Sequence, residues 1–114
     1  MRPKVKSIIS PDLEYPNSPP HPSHCRILVE VEIGPADSTG ADIFSFEVIT
    51  RSKFEECEDR WGRGLLILER FSWNAINQHL DKLFLHCDGK DWEEISHKLN
   101  KELHWEFENY RDTP

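Results

Sequence analysis

The hydrophobic period of the chain changes near residue 70, and that change limits the folds open to it. "RILVEVEIG" alternates strictly, with Ile27, Val29, Val31 and Ile33 on one side and Leu28, Glu30 and Glu32 on the other. A period of two over this length describes a strand with one buried and one wet face. "DIFSFEVIT" repeats the pattern, setting Phe44, Phe46 and Val48 against Ser45 and Glu47. From Trp73 the spacing becomes three and four: Trp73, Ile76, Leu80, Leu83, Phe84 and Cys87 make one stripe of an amphipathic helix. Strands first and helices afterwards predict an α+β domain in which the helices share one face of the sheet.

The remaining segments fill in that plan. "PKVKSIIS" reads as a first strand, and "GLLILER" as a strand covered on both faces, because its apolar run is continuous. "PDLEYPNSPPHPSHC" holds five of the eight prolines and is a surface loop, centred on residues 16–25. Ser72 is placed to cap the first long helix and Gly89 to stop it. Asp91 and Glu94 make a capping-box variant for a second helix whose face is Trp92, Ile95, Leu99 and Leu103. Trp73 and Trp92 each open a helix and are expected to anchor it to the sheet. "LHWEFENY" again alternates, so Trp105 and Phe107 are expected inward and Glu106 and Glu108 in solvent. The expected architecture is a mostly antiparallel sheet of four to five strands with two main helices on one face. Residues 1–114 are expected to form one domain, since 114 residues leave little room for two cores.

Charge narrows the function. The net charge is −7, from 21 acids against 14 bases, which disfavours a nucleic-acid partner, since phosphates require a basic footprint. Three separate cysteines and no apolar leader imply reduced thiols, a cytoplasmic setting and no membrane span.

No catalytic or metal-binding pattern emerges. "HPSHC" gathers His21, His24 and Cys25, but structural zinc takes paired ligand clusters and no second pair is fixed nearby. "WGRG" lacks the Lys-Ser/Thr of a phosphate loop, and neighbouring carboxylates such as Glu55–Glu56 or Glu93–Glu94 diverge on a helix. The expectation is a binding protein, not an enzyme, with no cofactor. A small hydrolase would need a cleft joining His104 or His79 to a carboxylate.

The candidate partner-binding residues are the acids of "EECEDRWGRG", namely Glu55, Glu56, Glu58 and Asp59, with Trp61 as an aromatic anchor, and secondarily Glu106 and Glu108. The bland reading of the run is a self-neutralised loop, with Arg51, Lys53, Arg60 and Arg63 beside the acids.

Four motifs in order resemble bacterial immunity protein family 8: "DIFSFEVIT", "RWGRGLLILERFSWNAI", "CDGKDWEEISHKLN" and "HWEFENY". The resemblance covers the last two-thirds of the chain and the "SIISPDL" start. It departs at "ISHKLN", where the family favours small residues such as Val-Ala, and at Asn109, where an Asp is usual. It implies a cytoplasmic protein that neutralises a secreted toxin domain by stoichiometric binding. Acidity suits a basic nuclease as that partner. The alternative is an acidic adaptor or regulatory domain with no toxin. A homodimer through an exposed sheet edge is a further option.

Overall fold

The computed structural model of the protein describes residues 1–57 and 63–108. Within them, β1 (Pro3–Ile9), β2 (Arg26–Pro35) and β3 (Asp42–Thr50) form an antiparallel meander, followed by the one-turn helix α1 (Arg51–Phe54). β4 (Leu65–Leu68), α2 (Trp73–Phe84), α3 (Trp92–Leu99) and the two-residue strand β5 (His104–Trp105) complete the order. The expected α+β class is what the chain adopts, with a five-stranded sheet and two main helices.

β3 is the hub of that sheet. One side pairs with β2 along its length, from Arg26 opposite Ile49 to Ile33 opposite Asp42. The other side is divided between two short strands. β5 runs antiparallel beside Phe44 and Ser45, and β4 runs parallel beside Glu47 to Thr50. The sheet is therefore mixed. β4 enters beside Glu47 and leaves beside Thr50, in the same direction as β3.

Alternation assigns the faces as expected. Ile27, Val29, Val31 and Ile33 of β2 and Phe44, Phe46 and Val48 of β3 are buried against Ile76 and Leu80 of α2 and Ile95 and Leu99 of α3. β1 joins with a bulge between Val5 and Ser7, which shifts its phase by one residue. The shift lets both Val5 and Ile8, three apart, pack on the core.

Aromatic contacts fasten α3 and β5 to the start of β3. Phe44 is fully buried, edge-on to Trp92 at 6.4 Å between centroids and stacked with Trp105 at 6.3 Å. Both indoles donate to one oxygen of Asp42, Trp92 Nε1 at 2.9 Å and Trp105 Nε1 at 3.0 Å. Trp92 thus anchors its helix to the sheet as expected. Trp73 serves a different segment: its Nε1 donates to the Asn17 carbonyl at 2.8 Å, and its ring meets Tyr15 and Phe71 edge-on. Its contact pins the proline-rich loop over the start of α2.

Both helix caps form, with Ser72 accepting from Ala75 N and Asp91 from Glu94 N. The Glu94 carboxylate reaches back to Lys90 N, one residue before the cap, and that backbone hydrogen bond holds its carboxyl below the usual range.

Three local expectations are corrected. α2 ends at Phe84, not at Gly89, whose N–H instead donates to the Met1 carbonyl. β4 is not covered on both faces: Leu65 and Leu66 are half-buried and Ile67 is 37% exposed, because the helices cover only one side. The terminal alternation fails after Trp105. Glu106 N still bonds the Ile43 carbonyl, but β3 begins at Asp42, so the ladder runs out and Glu108 N closes a turn onto the Trp105 carbonyl. Phe107 is consequently 42% exposed, with its edge on Trp105.

Phe44→Ala is expected to cost about 3–5 kcal/mol in urea unfolding, since it empties the space between two indoles. Ser96→Ala should be neutral or stabilising by up to about 1 kcal/mol, because the fully buried Ser96 hydroxyl meets no hydrogen-bonding partner among the described residues.

Candidate partner-binding surface

The helices leave the second face of the sheet open. There the outward residues line up in rows across the strands. Ser7, Glu32 and Ile43 form one row, and Ile9, Glu30, Ser45 and His104 the next. Leu28, Glu47 and Leu65 form a third, and Arg26, Ile49 and Ile67 a fourth. Ile49 is fully buried yet stands outside the main core cluster, as its outward position requires.

A groove of about 910 Å³ occupies the middle of this face, lined by residues including Arg26, Leu28, Glu47, Cys57, Arg63 and His104. Two ion-paired groups wall it. Arg26 donates from Nε and Nη2 to Glu47, and that hydrogen bond holds the guanidinium above its ordinary pKa. Arg63 donates to Glu108 and, at 3.3 Å, to the Asn100 side chain. His104 Nδ1 stands 2.9 Å from Arg63 Nη2 and 3.2 Å from Glu108 Oε1.

Gly64 fixes this wall. Its φ of +73° favours glycine, and a Cβ there would lie 2.4 Å from the His104 ring. Its carbonyl accepts from Glu47 N and its N–H donates to the Glu102 carbonyl, so one residue joins β3, the entry to β4 and the approach to β5.

The candidate acids fall at two places beside the groove. Glu55 and Glu56 directly precede Cys57 in its lining, and both are exposed. Glu56 meets His24 Nε2 at 3.1 Å and Lys53 Nζ at 3.6 Å. Glu108 is half-buried at the opposite wall, tied to Arg63, whereas Glu106 is exposed and its carboxylate accepts from Ile43 N. Glu58, Asp59 and Trp61 lie outside the described residues. Among the described residues of the charged run, Lys53 pairs locally with Glu56, whereas Arg63 reaches a carboxylate 45 residues away.

Sequence reasoning did not name Arg26, Leu28, Glu47 or Leu65 as partner-binding candidates. Their signal was present, since all but Leu65 stand on the wet side of the alternation. His24 of the "HPSHC" stretch bonds Ser52 Oγ at 2.8 Å through Nδ1. Among the described residues, no group of three His, Cys, Asp or Glu side chains is placed to hold a metal ion. Burial pushes up the thiol pKa of Cys87 and of Cys25, disfavouring the thiolate at each. No described helix is long and apolar enough to cross a membrane.

The helix-backed mixed sheet thus presents one open, acid-bearing face. The sequence model of immunity protein 8 matches residues 4–110, and the chain belongs to that family. No curated protein and no solved structure matches it.

Gly64→Ala is expected to cost at least about 1–2 kcal/mol from the left-handed backbone alone. Adding His104→Ala should recover only the steric share, so thermal melts of the two single variants and the double variant would show non-additivity.

Proposed function

We propose that the protein neutralises a cognate secreted toxin domain by stoichiometric binding in the cytoplasm of the cell that makes it. Membership of the immunity protein 8 family carries this reading. The net charge of −7 supports a basic partner, such as a nuclease, whose encounter would be fast and salt-sensitive. Contacts would be led by Glu55, Glu56, Glu58, Asp59 and Trp61, with Glu106 and Glu108 secondary. Glu108 is the least suited of these, since Arg63 already takes its carboxylate.

A hydrolase reading draws on His104 and Glu108 at the wall of the groove. It is the weaker one. Arg63 donates to the carboxylate that would orient the histidine, and the Cys57 thiol is directed at the Lys53 carbonyl. An acidic adaptor with no toxin partner is the other competitor, and a neighbouring gene for a large secreted protein with a toxin-like C-terminus would argue against it.

Co-expression with the toxin domain encoded beside this gene tests the reading. Wild-type protein is expected to restore growth of a sensitive bacterium. A folded variant with Glu55, Glu56, Glu58 and Asp59 changed to Lys is expected to lose that rescue. Rescue that persists keeps the immunity role and discards the acidic segment as its surface. No rescue and no binding would favour the adaptor.

A further inference from the structure

The open face of the sheet has a composition that its own fold does not explain. A half-solvated sheet ordinarily places polar residues outward, and a base directly across from a carboxylate stabilises the pair. Here Glu30 is flanked across the strands by Ile9 and Ser45, and Glu32 by Ser7 and Ile43. Neither enters an ion pair among the described residues. Of the bases nearby, Arg26 is bound to Glu47 and the Lys6 amine donates to the Ser38 carbonyl at 2.5 Å, while Lys4, opposite Gly34, stands exposed on this face one pair beyond Glu32 without forming an ion pair among the described residues.

The apolar members of the same rows are unusually open. In those rows Ile9 is 52% exposed and Ile43 39%, and Ile67, 37% exposed, stands on the same face in the row of Arg26 and Ile49. Scattered surface apolars need no explanation, but several on one sheet face form a patch of the kind that marks an interaction site. Four strands set about 4.8 Å apart make a face broad enough for a compact contact.

Charge selects the occupant. A second copy docking face to face would bring Glu30 and Glu32 against their own kind, and nucleic acid would be repelled. A protein surface bearing Lys or Arg around an apolar ridge would satisfy both halves of the pattern. We propose that this open sheet face, through Ile9, Leu28, Glu30, Glu32 and Ile43, is the docking surface for a basic protein partner. The proposal rests on the toxin-binding reading and relocates its centre from the acidic segment to the sheet. The apolar residues supply contact area, and the unpaired carboxylates steer and orient the partner.

The test uses the full chain and the toxin domain encoded beside its gene, with binding followed by titration calorimetry at several salt concentrations. Two variants are compared with wild type: Glu30→Lys with Glu32→Lys, and Ile43→Ser. All three positions face solvent on the sheet, and near-ultraviolet circular dichroism checks that the fold persists. Glu30→Gln with Glu32→Gln serves if the lysines disturb the strands. Each variant is expected to weaken binding at least tenfold, and the charge variants to flatten its salt dependence. Wild-type binding that both variants retain overturns the proposal while leaving the immunity role intact. A wild-type dimer made monomeric by Ile43→Ser, with toxin binding unchanged, makes the face a self-interface and also overturns it. Wild-type protein that does not bind this domain removes the immunity reading and the proposal together.

Discussion

Everything in this fold is referred to one strand. β3 carries the full ladder to β2 on one side and, on the other, is shared end to end by β4 and β5. Its first residue, Asp42, accepts both indole hydrogen bonds that hold α3 and β5 in place, and its third, Phe44, is packed between the same two rings. A buried donor left without a partner costs far more than an average hydrogen bond contributes. The shared carboxylate oxygen therefore couples two elements that would otherwise dock independently. Because β5 is only two residues long, its ladder alone could not hold it.

The same arrangement divides the charge of the protein. Helices on one side of the sheet bury the aromatic core, and the outward side gathers a groove, two walled ion pairs and a set of carboxylates. The bases on the groove are spent internally, Arg26 on Glu47 and Arg63 on Glu108. These pairs are partly exposed, so each adds little to stability. Their effect is on the field: with Arg26 and Arg63 neutralised, Glu30, Glu32 and Glu55 stay without an ion pair among the described residues. A protein of the immunity protein 8 family that works by binding gains speed of encounter from such a bias.

Much of this was legible in the chain. The strict alternations of β2 and β3 assign every residue to its observed face, because one face is buried and a slip of one residue would invert it. The α2 and α3 stripes and their Ser72 and Asp91 caps were equally plain. Reading failed where a pattern depended on what lay beside it. "LLIL" promised a doubly covered strand, yet β4 sits at an edge with only one face covered. "WEFE" promised continued alternation, but β3 had no residue left to pair with Phe107. Of the partner-binding candidates, Glu56, Glu106 and Glu108 prove to be engaged, with His24 and Lys53, with the backbone of Ile43, and with Arg63 in turn. The groove residues were missed because they come from four distant segments.

The sequence by itself determined the fold class, the two faces of the meander, the helices and their caps, and the acidic character of the protein. These depend on local period and composition, which a single chain displays in full. Tertiary structure alone decided that β4 runs parallel, that β5 shares an edge with it, and that one Asp42 oxygen serves two indoles. It also decided which carboxylates are neutralised and which stay open on the sheet. Each of those outcomes is a meeting between residues tens of positions apart, and no local period encodes who meets whom.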